Sequence, residues 1–483
     1  MRDAFSGILD LSRDGTEPLH VQMTLQIKAA VLSGRLPART RLPSSRVLAA
    51  KLDVSRNTVL SALDQLKAEG VIEAVQGSGT RVAELAPDAF ERVPAPPMAA
   101  PRVHRLAGNW TEPLARFHPV MLDRPRPFMP GIPDLGSFPS DIWATSLRRA
   151  ARLADAETAG YGALSGHPRF RRLLAEHLAE TRSVVAAPEQ IIVTSSARGG
   201  LSLIVAALLS PGEECWVEEP GFRSAKAIFS AAGGGLVPVP VDGDGIDVSR
   251  APSASRPRLI YVTPSHQYPT GALMSLTRRL ALIERASASG GYIIEDDYDS
   301  EFQYRGRPIA ALQGLDTTES VIYLGTFAKS LQPGLRVGFI VAPPGLADAL
   351  AQIQRHTGQL VPPVMQLALA DFIERGHYRA HLRRMKGIYA RRLAQFADGI
   401  AAQSRGTLAA AAPDGGLQTV VTSRDGEAED MLMARLARAG IQAQPLADFH
   451  LAPETALHRG VLMGFAAWKD DEAAKALAHL AGS

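Results

Sequence analysis

Apolar residues recur at helical spacing over residues 19 to 33, LHVQMTLQIKAAVLS, where Leu19, Met23, Ile27, Ala30 and Val31 share one side and Gly34 follows as a stop. The next stretch, LPSSRVLAAKLDVSRNTVLSALDQLKAEG, predicts two short helices meeting at a tight turn. Ser44 or Ser45 caps the first, which runs to about Leu52, and Ser55 caps the second, which runs to about Glu69. After Gly70 the pattern changes to VIEAV and TRVAEL around GSG, a β-ribbon with a glycine tip. Helix, turn, capped helix and ribbon in one continuous run predict a winged helix-turn-helix over residues 1–84.

Residues 85–124 begin as a proline- and alanine-rich stretch without apolar periodicity, which reads as an extended, fairly stiff linker. Beyond it, over 125–483, apolar strand-like runs alternate with helical ones: IIVT, ARGGLSLIVAALL, CWVEE, LIYVT, LTRRLALIERASAS, YIIED, SVIYL and VGFIVA. That alternation predicts an α/β domain, a mostly parallel sheet covered by helices. From about Gly345 the chain is helix-rich with shorter strand candidates, LQTVVT and VLMGFAAW, and predicts a small α+β portion.

Composition narrows this picture only a little. With 46% apolar and 21% charged residues the chain has the balance of a soluble globular protein, and no stretch approaches a membrane span. The N-terminus mixes acids and bases and lacks a secretory pattern, so a cytoplasmic location is expected. One cysteine, Cys215, excludes an internal disulfide and a cysteine-based metal cluster, and no metal site is expected. The net charge of +3 says nothing about nucleic acid, but Arg35, Arg39, Arg41, Arg46, Lys51 and Arg56 cluster against the lone acid Asp53. As charge alone, that cluster is equally a solvated basic face.

A helix entering the major groove needs short polar and basic side chains in its first turn, and Ser55, Arg56, Asn57 and Thr58 supply them. Arg46 on the preceding helix is placed to meet phosphate. The tip Gly77, Ser78, Gly79 and Thr80 lets backbone approach the sugar-phosphate chain closely. The whole run from LPSSR to GSGTRV resembles the GntR-type winged helix, which implies these residues as contacts to double-stranded operator DNA. It departs at Leu63, where relatives usually carry tyrosine on an interior-facing position.

Pyridoxal 5'-phosphate requires a lysine, an acid to hold the ring nitrogen protonated, and an anion site. Lys329, in GTFAKSLQPGLRVGF, follows a strand, and Thr326 and Arg336 flank it as phosphate partners. The strand YIIEDDYDSEF ends in consecutive acids, an expensive cluster unless a cation opposes it. Strand alternation puts Asp296 and Tyr298 on one face, so Asp296 is assigned to the ring nitrogen and Tyr298 to the phenolic oxygen, with Asp297 as the fallback. At the strand-to-helix junction TSSARGGL, the amides of Ala197 and Arg198 can receive a phosphate. Phe222 is either an aromatic platform over the ring or a core residue.

YGALSGHPRFR, TSSARGGL, EEPGF, TPSHQYPTG, EDDYDSEFQY and GTFAKSLQPGLRVGF occur in the order and spacing of fold-type I aminotransferases. Over residues 125 to 483 the chain resembles that fold, and is most similar to the MocR/GabR subfamily of GntR-type regulators. The resemblance implies Lys329 as the Schiff-base lysine, Asp296 beneath the pyridine nitrogen, Tyr298 on the ring hydroxyl, and Thr326 with Arg336 on the phosphate. It also matches Tyr161 to a tyrosine that reaches the phosphate of a partner subunit, which implies a homodimer.

Against aminotransferases the chain departs at Gln267 and Tyr268, at Ala197 and Ala328, and above all at Leu462, where enzymes carry the arginine that clamps a substrate carboxylate. Arg459 or Arg198 are the alternatives for that task. The expectation is a regulator that senses pyridoxal phosphate itself or a small amine or amino-acid-like effector, without full transaminase turnover. A working aminotransferase with a fused DNA-binding head is the alternative, and a second domain that only dimerises is a third.

Overall fold

The computed structural model describes residues 8–13, 17–75, 79–84, 108–117, 126–153, 156–160, 162–163, 165–306, 309–453 and 459–480. They fall in two compact units, residues 1–105 and 106–483.

In the first unit α1 spans Leu19–Leu32, α2 Ser45–Leu52 and α3 Arg56–Ala68, and the strands β1 (Ile72–Val75) and β2 (Gly79–Val82) pair antiparallel. Ser44 and Ser55 are the N-caps of α2 and α3, their hydroxyls accepting the amides of Val47 at 3.4 Å and Thr58 at 3.1 Å. Met23, Ile27 and Ala30 of α1 close over Leu48, Val59, Leu63, Leu66 and Val82 in one apolar cluster. Leu63 is thus an interior residue.

The second unit opens with α4 (Gly108–Arg116), inside the stretch read from sequence as linker. Pro113 lies within this helix and its large apolar residues, Trp110 and Leu114, are exposed, so no buried stripe marked it in the sequence. It packs on the helix Arg223–Ala231, where the Asn109 amide donates to the Ala231 carbonyl at 2.8 Å.

The main sheet contains β3 (Ile191–Thr194), β4 (Glu214–Glu219), β5 (Gly235–Asp242), β6 (Gly245–Ile246), β7 (Leu259–Val262), β8 (Tyr292–Asp297), β9 (Val321–Thr326) and β10 (Gly338–Val341). Its order is β3-β10-β9-β8-β7-β4-β5-β6. β5, β4, β7, β8 and β9 run parallel, whereas β10 is antiparallel to both its neighbours and β6 closes an edge hairpin. Successive residues feed different layers: Ile294, Ile322 and Leu324 pack with Ile204 and Phe229, while Ile293, Ile260 and Val321 pack with Leu282 and Trp216.

The remaining strands β11 (Leu408–Ala410), β12 (Gln418–Ser423), β13 (Gln444–Pro445) and β14 (Val461–Gly464) form a separate antiparallel sheet in the order β11-β12-β14-β13. The helices His377–Gln403, Glu429–Arg438 and Asp470–Leu480 cover it through Tyr389, Phe396, Leu432, Leu436 and Leu477. No described helix is long and apolar enough to cross a membrane.

Candidate functional site

Because β3, β4, β7, β8 and β9 point the same way, their C-terminal ends gather the residues that follow them at one edge of the sheet, where open α/β sheets bind ligands. β8 ends in Glu295, Asp296 and Asp297, and each acid meets a different environment. Glu295 accepts the backbone amides of Leu312 and Gln313 at 2.8 and 2.9 Å. Asp297 accepts from Arg182 Nε at 2.7 Å and from the Tyr323 hydroxyl at 2.6 Å, so the fallback acid is already engaged by a buried guanidinium. Asp296 lies on the other face. The Tyr261 hydroxyl donates to its Oδ2, and its Oδ1 is buried with no partner among the described residues. Burial lifts the Asp296 carboxyl to about 7 against the pull of Tyr261.

Lys329 lies just beyond β9, and its amine donates to the Gly131 carbonyl. Burial lowers its affinity for a proton, the attraction of Asp299 opposes that shift, and the charge of Arg198 adds to it. This is the direction that frees an amine for nucleophilic work. Thr326 closes β9 and accepts the Ala328 amide at 3.1 Å, and its own hydroxyl proton has no acceptor among the described residues. The helix Ala197–Leu208 is capped by Ser196, whose hydroxyl accepts the Gly199 amide at 3.0 Å, and the amides of Ala197 and Arg198 take no acceptor among the described residues. Gly338 presses on this helix start: a Cβ there would sit 2.7 Å from the Ser196 carbonyl carbon and 2.8 Å from the Ala197 nitrogen. Arg336, two residues earlier, is exposed, holds φ 53° and has no ion-pair partner among the described residues.

Phe222 stacks on Tyr261 with ring centres 6.3 Å apart and meets Tyr268 edge-on at 5.5 Å. Tyr298 donates to the His266 carbonyl at 3.0 Å, and its hydroxyl lies 3.2 Å from His266 Nδ1. The same Nδ1 is 3.2 Å from both oxygens of Asp299, which holds the imidazole's pKa up despite burial. Leu462 is fully buried beside Val420, Leu446 and Phe449, with Tyr268 against them, so apolar packing fills the place expected for a carboxylate clamp. Tyr161 lies outside the described residues. His266 also lines a cavity of about 290 Å³ with Arg182, Ser265, Asp299 and Gly416, but neither Lys329 nor Asp296 borders it.

Tyr261, His266, Asp299 and the Gly131 carbonyl escaped sequence reasoning. Tyr261 is embedded in LIYV and reads as core, and His266 and Asp299, inside TPSHQYPTG and EDDYDSEFQY, stand 33 residues apart, so no local pattern pairs their side chains.

In the first unit Arg46, Arg56 and Asn57 are exposed, the latter two in the first turn of α3. Ser55 and Thr58 are engaged with each other, their hydroxyls 2.8 Å apart, so both serve the cap. Gly77 and Ser78 lie outside the described residues. Gly79 opens β2 with φ 85°, and Thr80 follows, its carbonyl accepting the Leu42 amide.

Two units of this kind, a winged helix-turn-helix and a lysine-bearing α/β domain, define a regulator built on an aminotransferase fold. Residues 20–82 match the model of bacterial regulatory proteins of the gntR family, and residues 133–480 match aminotransferase class I and II. The probable rhizopine catabolism regulatory protein MocR of Rhizobium meliloti is 40% identical over 467 residues, 95% of this chain and 92% of that one. The pyridoxine biosynthesis regulator PdxR of Corynebacterium glutamicum is 32% identical over 98% of both chains. The regulator TauR of Rhodobacter capsulatus is 32% identical over 78% of this chain and 79% of that one. The chain belongs to the MocR-type family of GntR transcriptional regulators, in which a DNA-binding head is joined to a class I and II aminotransferase domain.

Solved structures bear out the fold of the second unit. The α-aminoadipate aminotransferase LysN of Thermus thermophilus superposes with a TM-score of 0.69 at 23% identity, over 77% of this chain and 96% of that one. The kynurenine aminotransferase of Pyrococcus horikoshii does so with 0.66 at 23%, over 83% and 96%. The cofactor of this domain is pyridoxal phosphate, and the residues present suit it: a bare buried carboxylate oxygen on Asp296, an amine of lowered basicity on Lys329, and unclaimed amides at a helix start.

Proposed function

We propose that the second unit is the sensor of the regulator, with Lys329 and Asp296 as its cofactor anchors. The observation that carries this reading is the buried Asp296 Oδ1, unpartnered and within electrostatic reach of Lys329. A buried carboxylate oxygen without a donor is expensive, and a protonated ring nitrogen supplies both the proton and the charge. Tyr298 is the partner of the ring oxygen, and Phe222 is the wall beside the ring. Thr326, Arg336 and the amides of Ala197 and Arg198 hold the phosphate.

Pyridoxal phosphate supplies an aldehyde that primary amines capture. The chain's own residues lower the proton affinity of the Lys329 amine through burial, hold a carboxylate against the ring nitrogen and present donors to the phosphate. Arg198 and Arg336 are both exposed, as expected if a second copy of the chain completes the phosphate end, so a homodimer is part of the reading. The effector is pyridoxal phosphate itself or a small amine. The buried Leu462 argues against efficient transamination of amino acids.

In the DNA-binding unit, Arg46, Arg56 and Asn57 are the operator contacts, and the Gly77 to Thr80 tip is the wing. Ser55 and Thr58 close the N-terminal cap of α3.

Lys329→Ala tests the anchor. The purified variant should lack the visible absorbance of bound cofactor yet melt as cooperatively as the parent. An undiminished band in that variant would overturn the assignment. Mixing the full chain with amino acids and a keto acid separates sensor from enzyme, since repeated turnovers would establish an aminotransferase.

A further inference from the structure

β12 begins at Gln418, a residue only 3% exposed, and its buried Oε1 has no hydrogen-bond partner among the described residues. Buried amides are ordinarily satisfied, so this one stands out as a group held for something else. It is also close to Lys329. A Cβ built on Gly131 would lie 3.1 Å from Lys329 Nζ and 3.8 Å from Gln418 Oε1, so the two polar atoms face the same bare side of one glycine.

The chain leading to Gln418 is pinned. A Cβ on Gly416 would sit 2.0 Å from His266 Cε1, and one on Gly415 would sit 2.6 Å from the Phe302 carbonyl oxygen. The Gly416 amide donates to that same carbonyl at 2.9 Å, and the Tyr304 hydroxyl donates to the Gly416 carbonyl. The backbone leading to Gln418 is therefore fixed, and its side chain is buried.

A carboxamide is neutral and offers both an acceptor and donors, which matches hydroxyl groups; a carboxylate is better met by a guanidinium. The strand around Gln418 supplies no such cation: Val420 faces Leu462 across the ladder, and Leu446 and Phe449 pack with them. We infer that Gln418 reads the effector, and that the effector is a small primary amine bearing hydroxyl groups, neither a plain alkylamine nor an α-amino acid. This inference rests on Lys329 being the cofactor anchor.

The test uses the full chain loaded with pyridoxal phosphate and two amines of one carbon skeleton, 2-amino-1,3-propanediol and 2-aminopropane, with L-alanine as the third arm. For each, the concentration that half-changes the cofactor absorbance is measured in the parent and in Gln418→Met. Comparing the ratio of the two skeleton-matched amines between the proteins cancels their different basicities. The parent's preference for the diol should exceed that of Gln418→Met by about tenfold, the loss expected for one good hydrogen bond. A ratio changed less than threefold, a stronger response to L-alanine than to the diol, no response to any amine, or loss of the band in Gln418→Met would each overturn the inference. Absence of the band in the parent would instead overturn the cofactor reading itself, and the inference with it.

Discussion

Asp296 holds its two oxygens in different states, one bonded to Tyr261 and one bare, and this asymmetry sets a pH signature. Its folded pKa of about 7 lies above the ordinary value near 3.8, so the folded apoprotein binds a proton that the unfolded chain gives up. Stability is therefore lost as pH rises from about 4 to 7 and changes no further on this account above that. Asp296→Asn removes the titration: without cofactor, its melting temperature should gain on the parent's progressively between pH 4 and 7 and hold that lead at pH 8, while its cofactor affinity falls. A parallel pH course for the two proteins would refute the role of this carboxyl. The acid run and the lysine were legible as chemistry because strand alternation distributes three neighbouring carboxylates between two faces. What opposes each was not legible, since Arg182, Tyr261 and Tyr323 come from distant segments.

At the scale of elements, the head folds as its sequence patterning predicts, because caps, apolar spacing and turns are local. Ser55→Ala removes the hydroxyl that accepts the Thr58 amide and should lower the head's stability by about 1 kcal/mol, read from its transition in urea; an unchanged midpoint would count against the cap. On the operator, Asn57→Ala should cost about 1–3 kcal/mol against specific sequence and little against random DNA. Arg46→Ala should weaken both alike and reduce the salt slope by about one, measured by fluorescence anisotropy. Identical losses for the two variants on both DNAs would contradict this division of labour. Elsewhere local patterns mislead. β5 contains Pro238 and Pro240 and does not read as a strand, yet near the sheet's edge, where it meets β6 only at Val241 and Asp242, missing amide donors are tolerated. β10 reads like its parallel neighbours but runs antiparallel, because the connection after Lys329 is too short for a helical crossover.

For the whole molecule, the proposed sensor would tie an event at Lys329 to grip on DNA, and such coupling is reciprocal: an amine that changes operator affinity by some factor must itself bind more or less tightly, by the same factor, when operator is present. Titrating the cofactor absorbance with amine, with and without saturating operator, should give that equality; operator-independent amine binding alongside amine-dependent DNA binding would exclude a two-state switch. Sequence alone determined the two-unit organisation, the winged helix and the α/β class, and singled out Lys329 and Asp296 as candidate anchors, because those depend on periodicity, caps and residue chemistry within a few turns of chain. Tertiary structure decided which carboxylate oxygen is left bare, that the place of a carboxylate clamp is closed by apolar packing around Leu462, and that Gln418 Oε1 and Lys329 Nζ face the same side of Gly131. Those are contacts between segments far apart in the chain, and no local pattern encodes the free energy of such a meeting.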